Sequence, residues 1–581
     1  MAAYALGRTL PALGADVQLA VRWWGTVALE VVAAAGGALT DVDALAAIEG
    51  ITFQDLDGEV VRTADRARMA DLDSVPSPYL SGEFDGLPGE AWKYCLSIET
   101  NRGCPYGCTF CDWGSATMSR IRKFDLDRAV AEFEWAANVG VHTVTITDAN
   151  FGIMSRDVEL TRRFAEIRKR TGHPHSLSWT AAKNTTKHLV QIMDLLVDSG
   201  MTVSTSLSLQ TTDPTTLEVL ARTNISTDHY VKLAADYRRR GFPLQGDLML
   251  GLPGQTFESY KADLQFMLDH EIMVRSWPVQ MLPNAPMNDP EYRERHGIVV
   301  GEGNLVTATA TFSAEDRVRM FHYRTIDTIA ERMGVLRHVM RYLQWDHGIP
   351  ASDLMEHLLI LSERDPERFP LVSWVFGYFD LLPTVAVGWH AFYAELRRLL
   401  VEDFGLKEDD EGLAVVLRLQ EALMPAPGRT FPAEVHLEHD YLAYYRSATR
   451  SLWGSGHAGE PEDRLTAYPP ATFTVEGDPL GLCIEGIHLE GDARNEALQG
   501  DFHIGAAVAN ELDSPLIRIL PLVSGHGISN IPDDLPDDDA GAPAGAVSGS
   551  STERGASPSA DEPTSDGSGA AVPVAILQRR P

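Results

Sequence analysis

The sequence predicts an α/β fold centred on a partial (β/α) barrel of the TIM type. Between Trp92 and about Pro290, short apolar runs of strand character alternate with amphipathic helical runs. Such repetition builds a parallel sheet backed by helices. Apolar residues make up 44% of the chain, enough for a large core. At 581 residues the chain is too long for one ordinary core, so further units are expected on either side of the barrel.

Each element follows from its local pattern. "KYCLSIET" reads as the first strand and "DLDRAVAEFEWAANVG" as a helix stopped by Gly140. "VHTVTITDANFG" and "HSLSWTAA" read as strands, separated by the helix "DVELTRRFAEIRKRTG". The helix "TKHLVQIMDLLVDSG" leads to the strand "MTVSTSLSLQT", which is followed by helices over "TLEVLART" and "DHYVKLAADYRRRG". The strand "PLQGDLMLGLPG", the helix "FESYKADLQFMLDHE" and the strand "RSWPVQMLP" close the series. The barrel is therefore placed at residues 92–300. Residues 301–425 read as a helical domain and 426–523 as an α+β segment. Residues 524–581 collapse into Asp, Ser, Gly, Pro and Ala, which cannot offset the entropy of ordering, so a disordered acidic tail is expected.

Composition narrows the function. The formal charge of −33 repels a phosphate backbone, so no nucleic-acid partner is expected. Apolar runs are broken well before the ~20 residues a membrane span needs, so no membrane partner is expected. Arg8 and Asp16 interrupt any signal-peptide core, and a cytoplasmic location is expected. Five cysteines in so long a chain do not make a disulfide framework.

Three of the five sit in "SIETNRGCPYGCTFCDWGS" as Cys104-x-x-x-Cys108-x-x-Cys111. Thiolates suit zinc or iron–sulfur clusters. A structural zinc ion wants four ligands, and His142 is the candidate fourth. On a 4Fe-4S cluster, three thiolates leave one iron open for a small molecule. The loop directly follows the first strand, at the C-terminal ends where βα barrels place their ligand-binding residues.

The spacing, with an aromatic (Phe110) before the third cysteine, resembles the signature of the radical S-adenosylmethionine (SAM) superfamily. The resemblance implies a 4Fe-4S cluster on Cys104, Cys108 and Cys111, SAM on the open iron, and reductive cleavage of SAM to methionine and a 5′-deoxyadenosyl radical. Further stretches match in order over residues 92–290. "TITDANFG" places Asp148 and Asn150 near the methionine end of SAM, and "SLSLQTTDPTTLEVLART" places Gln210 at the ribose. "DLMLGLPGQTFESY" lines the adenine with the backbone of Gly251, Leu252 and Pro253, with Gln255 where the family has Glu. "VQMLPNAPM" resembles the last-strand segment. Phe110 is held near the cofactor. Taken singly, each has a bland reading: Asp148 and Asn150 as helix caps, Gln210 as a loop residue, "GLPG" as a turn, His188 and His270 as helix-surface residues.

No cysteine precedes Cys95, and only Cys483 follows the loop, so a single cluster is expected. "EGITFQDLDGEVVRTADRARMADLDSVPSPYL" resembles the bridge between a Rossmann-like cobalamin domain and the barrel in class B, cobalamin-dependent radical SAM methyltransferases. Residues 51–91 are thus a bridging segment and residues 1–50 a truncated or diverged remnant of that domain. The usual domain exceeds a hundred residues, so poor cobalamin binding by the remnant is expected. The resemblance implies a C-methyltransferase acting on a small-molecule or peptide substrate in specialised-metabolite or peptide biosynthesis, with an electron donor such as flavodoxin or ferredoxin. The alternative is a related enzyme catalysing a non-methylating rearrangement or oxidation, without cobalamin. No catalytic acid or base is assigned. Cys483 reads as a buried strand residue. Trp374, Phe376, Tyr378 and Trp389 could line a substrate pocket but read better as the core of the helical domain.

Overall fold

The computed structural model describes residues 19–21, 42–55, 57–64, 67, 71–84, 95–112, 120–182, 187–206, 208–239, 244–332, 334–377, 389–424, 433–454 and 459–475. Most of the expected cobalamin-domain remnant, Tyr378, Cys483 and the acidic tail lie outside these residues. In the described N-terminal part, β1 (Leu19–Val21) and the short helix α1 (Val42–Ala46) precede a hairpin of β2 (Ile51–Gln54) and β3 (Val60–Arg62). β1 pairs with β2 and β2 with β3, all antiparallel. Asp55 shapes the hairpin turn by accepting the N–H groups of Asp57 and Glu59 at 3.0 and 2.9 Å.

The central sheet has six strands: β4 (Cys95–Ile98), β7 (Thr143–Phe151), β8 (Ser176–Ala181), β9 (Thr202–Ser206), β10 (Leu244–Leu250) and β11 (Met273–Pro278). Their order in space is their order in sequence, and every pairing is parallel. Among the described residues β4 and β11 are both edges, so the described barrel is open. A separate two-residue ribbon, β5 (Asn101–Arg102) with β6 (Arg122–Lys123), brackets the cysteine loop.

The outer helices are α2 (Leu126–Asn138), α3 (Ser155–Thr171), α4 (Leu189–Asp198), α5 (Pro214–Val219), α6 (Thr227–Arg239) and α7 (Phe257–Asp269). Asp125 starts α2 by accepting the N–H groups of Asp127 and Arg128, a cap worth about 1 kcal/mol. α2 packs on α3 through Phe133 and Phe164, stacked at 4.0 Å between ring centroids. Alternate strand residues such as Leu96, Ile98, Val144, Ile146, Leu177 and Trp179 are buried beneath these helices. Their neighbours Ser97, Thr145, Ser178 and Thr180 point to the barrel interior, as the two-residue period of a strand requires.

The bridging segment covers the β4 edge. Tyr79 donates its hydroxyl to the Ser97 carbonyl at 2.5 Å and lays its ring beside Trp135, 5.3 Å between centroids. Arg128 donates to the Val75 carbonyl at 2.5 Å, and Asp73 accepts the Asp125 N–H at 2.8 Å. An uncovered edge strand would offer its free carbonyls to another chain.

After β11 come α8 (Pro290–Arg295), the hairpin β12 (Val299–Val300) with β13 (Val306–Ala308), and then α9 (Ala314–Asp327), α10 (Arg337–His347), α11 (Ala351–Arg364), α12 (Pro370–Gly377), α13 (Trp389–Phe404) and α14 (Glu411–Leu423). β14 (Ala433–Leu437) and β15 (Ala471–Val475) pair antiparallel around α15 (Tyr441–Gly454), which packs on α6. Phe376 and Trp389 are buried in the helical core and Trp374 packs against it. Arg341, 2% exposed, pairs with Glu271 and, at 3.0 Å, with Glu331. Arg337 reaches Glu331 at 3.2 Å, and Tyr445 donates to Glu271 at 2.9 Å. This buried network ties α10 and α15 to the turn before β11, at the strands' N-terminal ends. The guanidiniums of Arg341 and Arg337 hold the Glu271 carboxyl down to about 2.

Candidate active site

The chain enters the cysteine loop through Thr100 and Asn101, just past β4. Both are buried, and so is Asp148 on the adjacent β7. The Asp148 Oδ1 accepts the N–H groups of Thr100 and Asn101 at 2.7 and 3.1 Å. Its Oδ2 accepts the Asn101 side-chain amide at 2.5 Å and the Thr100 hydroxyl. Burial pushes this carboxyl up to about 7, against the pull of those hydrogen bonds. The side chain expected at the methionine end of SAM thus commits both oxygens to the entry of the cysteine loop.

Gly103 then takes φ +122, and a Cβ there would meet the Arg120 carbonyl oxygen at 2.7 Å, so only glycine fits. Cys104 and Cys108 are buried and Cys111 is half-buried, and none of the three is in a disulfide. Asn150, at the end of β7, donates its amide to the Cys104 Sγ at 3.3 Å. Its Oδ1 is buried without a hydrogen-bond partner among the described residues. Arg222 donates to the Cys108 Sγ at 3.4 Å, and its guanidinium lies 5.9 Å from the half-buried Phe110 ring. The Thr109 N–H donates to the Leu220 carbonyl at 3.1 Å, and the Thr109 carbonyl accepts from Met287 at 2.8 Å. The Tyr292 hydroxyl lies 3.2 Å from that of Thr109 and donates to the Val219 carbonyl at 2.9 Å.

These features fit thiolate ligands of a cluster. N–H donors aimed at sulfur are the outer-shell contacts that iron–sulfur sites use. Among the described residues no three His, Cys, Asp or Glu side chains converge as a single metal ion requires. His142 lies at the N-terminal end of β7, beside His175 at 5.1 Å, and so at the opposite end of the sheet from the cysteines. A zinc site completed by His142 is therefore excluded by the fold.

The remaining predicted residues lie at the same C-terminal end. Gln210, at φ +68, is spliced beside β10: its N–H donates to the Asp247 carbonyl and its carbonyl accepts from Met249, both at 2.8 Å. Gly251 takes φ +92, and the Gly251–Leu252–Pro253 turn is buried. Gln255 explains its own presence there. Its Oε1 accepts the N–H groups of Gly251 and Leu252 at 2.8 and 3.3 Å, while its Nε2 donates to the Met249 carbonyl at 3.0 Å. An amide can do both, whereas an ionised carboxylate can only accept. Asp263 accepts from Thr211 and Thr212 at 2.6–2.7 Å and fixes the turn after Gln210; burial pushes its carboxyl up to about 6. On the interior face Asp247 binds Ser208 at 2.7 Å and Arg275 at 2.9 Å, with the Trp277 indole N–H at 3.4 Å. Arg222, Thr109, Tyr292 and Asp247 were not foreseen as site residues. The signal for Arg222 was the arginine closing "TLEVLART".

Residues 98–267 match the family model of the radical SAM superfamily. The cobalamin-dependent radical SAM methyltransferase TokK of Streptomyces tokunonensis is 38% identical over 477 residues, 71% of this chain and 68% of that protein. The 2-(S-pantetheinyl)-carbapenam-3-carboxylate methyltransferase of Streptantibioticus cattleyicolor is 40% identical over 427 residues, 61% of this chain and 62% of that one. This chain belongs to the cobalamin-dependent radical SAM methyltransferases, and the family's cofactors are a 4Fe-4S cluster, SAM and cobalamin. It spans about two thirds of the length of these relatives. Among solved structures, the radical SAM methyltransferase TsrM from Kitasatospora setae aligns at a TM-score of 0.40 and 18% identity, over 52% of this chain and 60% of that one. That likeness is too slight to carry an argument, and the family rests on the sequence matches. Among the described residues no helix is long and apolar enough to cross a membrane.

Proposed function

We propose that the chain methylates carbon on a pantetheinylated or similar small-molecule substrate of specialised metabolism, using one cluster held by Cys104, Cys108 and Cys111. The single observation that carries the reading is the cysteine loop at the C-terminal end of β4, with N–H donors on its sulfurs from the end of β7 and from the segment after α5. The carbon-methylating and substrate part leans on the similarity to the carbapenam methyltransferase. When bound, the cofactors supply one-electron cleavage of SAM and a transferable methyl group.

The chain's own residues bind and orient. Asn150 and Arg222 hold the ligand sulfurs, and the Asn150 Oδ1 is an acceptor left for the amino group of SAM. Gln210 borders the ribose, and the Gly251–Pro253 backbone, braced by Gln255, borders the adenine. The buried walls around Cys104 and Cys108 keep water from the cluster. Ser97, Thr145, Ser178 and Thr180 line the interior with hydroxyls able to meet amide groups of a substrate arm. Bridging residues 71–84 hold the β4 edge.

The test is anaerobic reconstitution followed by turnover with a strong reductant and methyl-deuterated SAM. About four irons per chain are expected, lost when the three loop cysteines are changed together to Ala. Label should enter 2-(S-pantetheinyl)-carbapenam-3-carboxylate. Cleavage of SAM without transfer of label would discard the substrate and leave the class; retention of iron in the triple variant would discard the cluster site.

A further inference from the structure

We propose that the β5–β6 ribbon, with Arg102, Arg120, Arg122 and Lys123, is the docking surface for an acidic carrier protein that delivers one electron to the cluster. The proposal rests on the assignment of the cluster to Cys104, Cys108 and Cys111, and adds the partner and its landing place.

The ribbon packs against the cysteine loop itself. Asn101 pairs with Lys123 and Arg102 with Arg122 across it. The Arg120 carbonyl oxygen lies so near Gly103, the residue before Cys104, that a Cβ there would meet it at 2.7 Å. A partner seated on the ribbon is therefore separated from a cluster ligand by a few residues of packed backbone. Electron transfer falls steeply with distance, so a donor has to land this close.

Charge selects the kind of partner. The chain carries 49 Lys and Arg against 82 Asp and Glu, so its long-range field repels an acidic protein. Such a protein needs a local cationic surface to be received at all. Residues 113–124 supply one: they hold Arg120, Arg122 and Lys123 and no acid. Arg120 and Lys123 are exposed, and among the described residues neither forms an ion pair. The carboxylates nearest in the chain and on the bridge are already engaged. Glu99 pairs with Arg102 at 2.8 Å, Asp73 with Arg128 at 3.6 Å and Asp127 with Arg163 at 2.8 Å, and Asp125 caps α2. Arg102 and Arg122 stand directly opposite each other, an arrangement of like charges that weakens a strand pair. An anionic partner offsets that repulsion when it joins them. Encounters between electron carriers are small and short-lived, so a few well-placed cations suffice where a lasting complex would need a large apolar face.

In the transfer itself, one electron leaves the carrier, which is oxidised, and one enters the cluster, which is reduced; no bond is made or broken.

The experiment uses the full chain with flavodoxin, an acidic flavin carrier, as the probe. Calorimetry reads the binding of oxidised flavodoxin. The double variant Arg120→Glu with Lys123→Glu should bind about tenfold more weakly than the parent at low salt. Added salt should bring the parent down towards the variant, because these charges are exposed. The milder pair Arg120→Gln with Lys123→Gln should fall between them. Iron content after reconstitution should not change. Formation of 5′-deoxyadenosine from SAM should drop in the variants when reduced flavodoxin supplies the electron. It should stay parental with dithionite and methyl viologen, small reductants that need no docking surface. Equal flavodoxin affinity in the parent and the double Glu variant overturns the proposal, as does a parent that does not bind flavodoxin. Loss of the dithionite-driven reaction at parental iron content also overturns it and gives the ribbon to the substrate or to SAM. A parent that takes up no iron refutes the cluster assignment, and flavodoxin binding to the iron-free chain then decides the docking surface separately.

Discussion

Asp148→Asn is the sharpest probe of how the cysteine loop is built. The substitution keeps the shape and removes one acceptor oxygen. Of its two orientations, the milder puts the new amide nitrogen at the Oδ2 position, away from the backbone N–H groups of Thr100 and Asn101. The Thr100 hydroxyl can turn and accept from it, but the Asn101 amide then faces a donor. A buried donor left with only a long contact to the Thr100 hydroxyl, at 3.4 Å, costs about 1–3 kcal/mol, and the other bonds lose their charge assistance, roughly 1 kcal/mol more. A loss of about 2–4 kcal/mol is expected, a large part of the 5–15 kcal/mol that usually holds a domain. Urea unfolding of the iron-free protein reads the first effect and iron content after anaerobic reconstitution the second. Chains that do load a cluster should bind SAM as the parent does, because the carboxylate acts through the loop. An Asp148→Asn protein with parental stability and iron but weakened SAM binding would refute this reasoning and return Asp148 to the SAM contact.

Glu271→Gln removes one carboxylate that Arg341 and Arg337 share with Glu331 in the buried network. Breaking such a pair costs about 3–5 kcal/mol, so the denaturant midpoint should drop clearly, while a surface ion pair such as Arg170–Glu134 should be dispensable. Asp263 is held above the ordinary carboxylate range, so the native state keeps its proton where the unfolded state has lost it. Its contribution is therefore full below about pH 4 and is lost as pH rises towards 6; the stability of the parent relative to Asp263→Asn should fall across that window and stay level above it, and a rise would contradict the burial argument. Cys95 is exposed on the interior face of β4, 3.4 Å from the Thr145 hydroxyl; Cys95→Ala should retain its full iron.

The parallel series was legible because each of its segments carries its own signal. A two-residue period marks β7 and β8, and Asp125, Gly140 and Gly172 punctuate α2 and α3. The cysteine loop was legible because soft ligands clustered in a cysteine-poor chain have few other uses. What lay beyond reach were contacts between distant segments. Nothing local reveals that Arg222 meets Cys108 across 114 residues, or that Asp148 faces Thr100 and Asn101 rather than open space. Gln255 looked like a departure from a pattern, and its purpose appeared only with the carbonyl and two N–H groups it serves. The bridge was recognised as a segment, but its docking through Tyr79 onto Ser97 depends on strand order, which no local pattern encodes.

The strict agreement between sheet order and chain order has a consequence in time. As the polypeptide leaves the ribosome, each new strand can add to the one before it, so the sheet can grow as it is made. The cysteines emerge with the first strand, but the groups that enclose them come far later. Thr109 meets Tyr292 across 183 residues, which at usual elongation rates is roughly ten to forty seconds of synthesis. For that interval three thiols stand at the starting edge of the sheet with their enclosure incomplete. Loading of iron and sulfide therefore belongs after the last barrel strand has been made, on a largely assembled protein, and expression conditions that shield nascent thiols from oxidation should raise the yield of loadable chain.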